Sequence, residues 1–259
     1  MKPLNSVEKT VIEVQGYRFS ALAAGPIDGN LVLFLHGFPE FANAWLDVMR
    51  PIAEAGFRAV AVDQRGYSSE ARPQEVKDYM IEHLISDVQG FVNALGRRRY
   101  HLVGHDWGAL LAWELAARHP DRVLSLSALS TPHPDAFFNA IEADEDQKQR
   151  SRYIALFRMP GGVAANLFQA DDYQRLRGVY QGNSAISKNI RRLAVGMWIA
   201  SLGSRGSEPR PVAIEGGSLG HCQFGRERKT TTNDTSTVVE QGASRCLAPA
   251  FGSYRGKGI

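Results

Sequence analysis

Four short apolar runs separated by stretches of helical character constrain this chain more than anything else in it. Leu31–Leu35 is five consecutive apolar residues, the mark of a strand buried on both faces. Arg58–Val62 repeats the pattern, as do residues 100–103 and Val123–Leu129. Between the runs, residues 44–55 read as a helix stopped by Gly56, and residues 108–118 as a strongly apolar helix closed by His119-Pro120. Residues 80–95 carry Ile81, Leu84, Ile85, Val88, Val92 and Leu95 on one stripe at helical spacing, with Gly96 as the stop. Strands alternating with helices require crossover connections and hence a parallel sheet, so the expected class is α/β. Ahead of this core, residues 11–24 read as two strands around a turn at Gln15-Gly16.

The alternation breaks after Pro132. Residues 132–201 are helix-rich, and the acidic-to-basic run from Glu142 to Arg152 reads as a solvated helix face. This segment is expected to be a helical lid inserted into a core formed by residues 1–131. A second change comes at Leu202. From there on, eight Lys/Arg stand against five Asp/Glu, which is the whole of the chain's net charge of +3. The same 58 residues hold both cysteines and ten of the 25 glycines, but none of the four tryptophans. Residues 202–259 are therefore treated as an atypical C-terminal segment. Strands are expected within it at 211–215 and 236–240.

Such a small net charge argues against a nucleic-acid binder, and two cysteines against a disulfide scaffold. The chain has no run of 18 apolar residues to span a membrane, and its first 14 residues have no apolar signal core. A cytoplasmic protein is the expectation.

The chemistry is concentrated in Leu102-Val103-Gly104-His105-Asp106-Trp107-Gly108-Ala109. A strand runs into Gly104, Asp106 sits on a sharp turn, and a helix follows. This is the layout of a nucleophile elbow, whose flanking glycines make room for the turn residue. A carboxylate at a helix start is held ionised by backbone N–H groups, and an ionised carboxylate can attack carbon to form an ester. An aspartate merely capping a helix would give the same string. The upstream loop His36-Gly37-Phe38-Pro39-Glu40 favours the elbow, because in this fold it supplies one backbone N–H of an oxyanion hole. The residue after the nucleophile supplies the other. The donors would be Phe38 and Trp107.

These segments, with Asp63-Gln64-Arg65-Gly66-Tyr67-Ser68 and Leu129-Ser130-Thr131-Pro132-His133-Pro134, resemble the α/β-hydrolase fold and specifically its epoxide hydrolase branch, over roughly residues 10–200. The resemblance implies a lid tyrosine that protonates the epoxide oxygen. Tyr153, in Tyr153-Ile154-Ala155-Leu156-Phe157-Arg158-Met159-Pro160-Gly161, fits that role. A second lid tyrosine, which usually follows a tryptophan, has no counterpart: Ile199 follows Trp198. The substrate would be a small to medium apolar epoxide opened to a vicinal diol, with no metal or organic cofactor implied. Haloalkane dehalogenases share the aspartate elbow, but usually carry asparagine in the first loop where this chain has Phe38.

The resemblance also implies an acid after a late strand and a histidine after the last strand. His221 lies in a Gly-His-Cys context but one strand too early, and Glu215 and Asp234 are the available acids. Two readings of the tail remain open. It is a diverged ending without the acid–histidine pair, which would make the chain a catalytically impaired ligand binder, or it is translated in a shifted frame. Reading the other two frames of the gene decides between them: the second reading requires an acid-bearing strand followed by Gly-His-aromatic.

Overall fold

The computed structural model describes residues 6–170 and 172–177 and the strand Val212–Ile214. Seven strands form one sheet: β1 (Glu8–Val14), β2 (Tyr17–Ala24), β3 (Leu31–Leu35), β4 (Arg58–Val62), β5 (Tyr100–His105), β6 (Val123–Leu129) and β7 (Val212–Ile214). Their order is β1-β2-β4-β3-β5-β6-β7. β1, β2 and β4 pair antiparallel, and β4-β3-β5-β6-β7 are parallel throughout. The expected opening hairpin is present, with Gln15 and Gly16 at positive φ in its turn. β7 falls inside the strand expected at 211–215. The other expected tail strand, and His221, Glu215 and Asp234, lie outside the described residues.

Three helices build the two faces: α1 (Leu46–Glu54), α2 (Ile81–Ala94) and α3 (Trp107–Arg118). Alternation along β3 sorts them. Val32 and Phe34 pack with Val48, Met49 and Ile52 of α1, whereas Leu31, Leu33 and Leu35 pack with Val88 and Phe91 of α2 and Leu111 and Leu115 of α3. All five β3 residues are buried, as their continuous apolar run requires. The expected helix at 44–55 divides in two. A 3-10 turn at Ala42–Trp45 precedes α1, because Phe41 is extended and the Ala42 N–H is drawn to Asp63 Oδ1 at 2.6 Å.

Arg65, in the loop after β4, makes two 2.7 Å hydrogen bonds to the Asp87 carboxylate of α2, and its guanidinium lies 4.8 Å from the Tyr17 ring centroid of β2. Both charged side chains are only 3% exposed. Removing one partner of such a pair leaves an uncompensated buried charge. Asp87→Ala is therefore expected to destabilise the fold by about 3–5 kcal/mol, read as a lower urea midpoint at unchanged slope.

After β6 the chain forms α4 (Pro134–Ala143), α5 (Glu145–Arg150) and α6 (Arg152–Phe157), then helical segments at 163–170 and 172–177. The run from Glu142 to Arg152 faces solvent apart from the buried Ser151: Lys148 pairs with Glu145 and Arg150 with Asp146, all well exposed. Among the described residues, no helix is long and apolar enough to cross a membrane.

Candidate functional site

Strand order places the site. β3 leads through α1 to β4 on one side, and β4 then leads through α2 to β5 on the other side of β3. The loops leaving β3 and β5 therefore diverge from neighbouring carboxyl ends, the crevice where ligands bind in open α/β sheets. Because Leu35 pairs with Gly104, the segments beginning at His36 and His105 start side by side.

Asp106 stands at φ 53° and ψ −119°, between β5 and the first residue of α3. A residue with a β-carbon is strained there, by about 1–3 kcal/mol, and persists only where its surroundings over-determine it. Its N–H donates to Leu129 O at 3.3 Å, and Thr131 Oγ1 donates to its carbonyl at 3.2 Å. The first turn of α3 begins on the same carbonyl, which accepts from Ala109 and Leu110. A β-carbon on Gly37 would lie 2.4 Å from Asp106 Cβ, so glycine is needed there for the two loops to approach.

The site residues expected from sequence come together in part. The Phe38 N–H donates to Asp106 Oδ1 at 3.0 Å. Trp107 occupies the first position of α3, beside Asp106. Tyr153, on α6, is half exposed. Its phenol is held above the ordinary value, first by desolvation and then by the negative charge of Asp106. The hydroxyl therefore keeps its proton at neutral pH and sits within electrostatic reach of the carboxylate. Its ring meets Phe157 edge-on with centroids 6.3 Å apart.

Sequence reasoning missed an aromatic cluster. Phe157 and Phe168 stack at 5.8 Å, and both rest against Phe38, at 5.3 Å and 5.5 Å. The helical segment after β6 thus reaches the loop that faces Asp106 through aromatic contacts. Nothing in the local pattern at 157 or 168 announces this.

The histidines also acquire partners. His36 is buried, and burial lowers its pKa. Its Nε2 accepts from the Gln64 N–H at 3.2 Å and its Nδ1 donates to Gly37 O at 2.9 Å, the pattern of a neutral ring that braces the loop. His101 bonds Ser125 Oγ at 2.8 Å, and burial pushes it down to about 4. His133 accepts from the Asp135 N–H at the start of α4. His105 Nδ1 meets Glu40 Oε2 at 3.0 Å. Burial alone would lower the His105 pKa, but Glu40 and then Asp106 outweigh it and the net shift is upward. Glu40 shifts down in turn: burial opposes, and His105 prevails.

Comparison with known proteins agrees with this layout. The family model for the α/β hydrolase fold matches residues 30–212. Epoxide hydrolase 3 of Xenopus tropicalis is 41% identical over 145 residues, covering 56% of this chain and 39% of that protein. Epoxide hydrolase A of Mycobacterium tuberculosis is 36% identical over 164 residues, covering 61% and 49%. A crystal structure of an epoxide hydrolase from Bacillus megaterium superposes with a TM-score of 0.63 at 30% identity, covering 68% of this chain and 61% of that one. The chain spans between 35% and 60% of the length of these and other curated relatives that it matches. With the sheet order, the strained Gly104–Gly108 turn and these likenesses in agreement, the chain belongs to the α/β-hydrolase fold family, among relatives that are epoxide hydrolases.

Proposed function

We propose that the chain carries an epoxide hydrolase site in which Asp106 is the nucleophile, working on an apolar epoxide through an aspartyl ester. The observation that carries this reading is the Asp106 carboxylate on a strained turn, at the switch point of the sheet, with the Phe38 N–H on one of its oxygens. That contact divides the roles of the two oxygens. Oδ1, held by Phe38, becomes the ester carbonyl oxygen. Oδ2 attacks a ring carbon, and the carbon–oxygen bond of the epoxide breaks. The leaving alkoxide takes the Tyr153 proton, which the raised pKa keeps in place. When water then attacks the ester carbon, negative charge develops on Oδ1, where the Phe38 and Trp107 N–H groups would stabilise it. The ester C–O bond then breaks, the diol leaves with one proton of the water, and the other proton returns to the Tyr153 phenolate as the Asp106 carboxylate is restored.

Residues 132–201 would act in this reading as a lid on the core of residues 1–131; of that lid, residue 171 and residues 178–201 lie outside the described residues. The Phe38, Phe157 and Phe168 rings form an apolar cluster on the loop whose Phe38 N–H reaches the carboxylate, which suits an apolar substrate. The reading calls for no metal or organic cofactor and for neither nucleic acid nor a membrane as a partner.

Incubation with styrene oxide followed by intact-mass measurement tests the reading. Ester formation appears as a mass gain of one epoxide, and turnover as release of the diol. Steady diol production is the expected result for a complete site. A persistent adduct without diol identifies a chain that performs only the first half-reaction. No adduct and no diol overturns the proposal, and halide release from a haloalkane would reassign the chemistry.

A further inference from the structure

We propose that Glu40 and His105 form a positioning clamp that locks the loop after β3 onto the Asp106 turn and so keeps the Phe38 N–H on Asp106 Oδ1. The clamp rests on the reading of Asp106 as nucleophile only for its effect on chemistry; the geometric part stands on its own.

The two loops touch through paired links. Phe38 N–H reaches Asp106 Oδ1 at 3.0 Å, and two residues further along the same loop Glu40 Oε2 meets Nδ1 of His105, the immediate neighbour of Asp106, at 3.0 Å. The loop segment between them is a tight turn closed by the Glu40 N–H on Gly37 O at 2.9 Å. The two links and the two short backbone segments make a closed ring. Phe38 cannot leave Asp106 without opening the turn or breaking the Glu40–His105 bond. The Glu40 and His105 side chains are 28% and 20% exposed, so water competes weakly for them. His36, a buried side chain of the same loop, does not substitute for the clamp. Its ring bonds run to Gln64 and to Gly37 of its own loop, and neither crosses to the Asp106 turn.

Neither residue touches the reacting atoms in this scheme. His105 donates through Nδ1 and Glu40 accepts, so the clamp needs an acceptor at position 40 and not a charge. Two substitutions separate these requirements. Glu40→Gln keeps a side-chain oxygen that accepts from His105, and Glu40→Ala removes it.

The full chain is the material for the test, with amide hydrogen exchange followed by NMR and with the rate of ester formation at saturating styrene oxide. In Glu40→Ala, the Phe38 amide is expected to lose its protection while the β3 amides keep theirs. The rate of ester formation should fall about tenfold or more, since a misplacement of 1 Å in a reacting site costs on the order of 100-fold. The concentration for half-saturation should stay unchanged. Glu40→Gln should restore both readouts to within about threefold of the parent chain. If Glu40→Ala does not fold, His105→Ala breaks the same bond from the other side and is read the same way. Retained Phe38 protection in the alanine variants overturns the clamp, as does a Glu40→Gln variant as impaired as Glu40→Ala, which would make charge the requirement. If the parent chain forms no ester, the proposed function fails, while the Phe38 amide still reports on the clamp.

Discussion

Replacing Asp106 with asparagine is expected to abolish ester formation with an epoxide while leaving the fold in place. The two halves of that expectation have different causes. The amide oxygen of asparagine still accepts the Phe38 N–H that Oδ1 accepts at 3.0 Å. Asparagine also tolerates positive φ better than most residues with a β-carbon, so the turn at φ 53° is kept. What disappears is the second carboxylate oxygen with its negative charge, and with it the attacking atom. Loss of a nucleophile from a site that acts as a unit costs on the order of 10⁴ or more in rate. Intact-mass measurement against styrene oxide reads this directly: the parent chain gains one epoxide, and Asp106→Asn stays at its own mass over the same incubation. An unchanged urea midpoint completes the result. An adduct that persists in Asp106→Asn would place the nucleophile elsewhere.

Much of this site could be read before the structure, and for a physical reason. β3, β4 and β6 coincide with the expected strands to the residue; β3 is apolar and buried throughout, as a strand covered on both faces requires, and β4 and β6 are mostly so, with Arg58 opening β4 and Ser125 and Ser127 inside β6. Gly104, Gly108 and Asp106 announce the turn through a steric requirement that is local in sequence. The departures occur where longer-range contacts decide. The helix start shifts to Leu46 because Asp63, from the loop after β4, draws on the Ala42 N–H. β5 runs on to His105 because its partner Leu129 continues the ladder to that point. Phe157 and Phe168 meet Phe38 across more than a hundred residues, a contact that no period in the sequence encodes. The Glu40–His105 pair is an intermediate case. Both residues stood in recognisable motifs, but only the pairing of Leu35 with Gly104 reveals that those motifs lie side by side.

The second large effect is expected at Gly108, where a single methyl group acts on both stability and chemistry. A β-carbon there would lie 2.3 Å from Leu35 O and 2.6 Å from His36 O. At Gly104 it would lie 2.4 Å from Gly108 O and 2.7 Å from Ala109 Cα. All four are backbone atoms, so no side chain can rotate aside, and α3 must move away from β3 and β5. Gly108→Ala is expected to destabilise the fold by about 3 kcal/mol, the upper end for overpacking in a tight core. The displacement falls between Leu35-His36, which lead to Phe38, and the helix that begins beside Asp106. It therefore separates the Phe38 N–H from the carboxylate, and ester formation should fall about 100-fold for each ångström lost. Gly96→Ala provides the contrast. Gly96 has φ 69° but nothing within 4 Å of its added β-carbon, so that variant pays only the backbone cost of about 1–2 kcal/mol and keeps the parent rate of ester formation. Urea midpoints and adduct rates for the two variants separate a packing requirement at the site from a turn requirement remote from it. Equal adduct rates in Gly108→Ala and the parent chain would show that the approach of α3 to β3 does not set the geometry at Asp106.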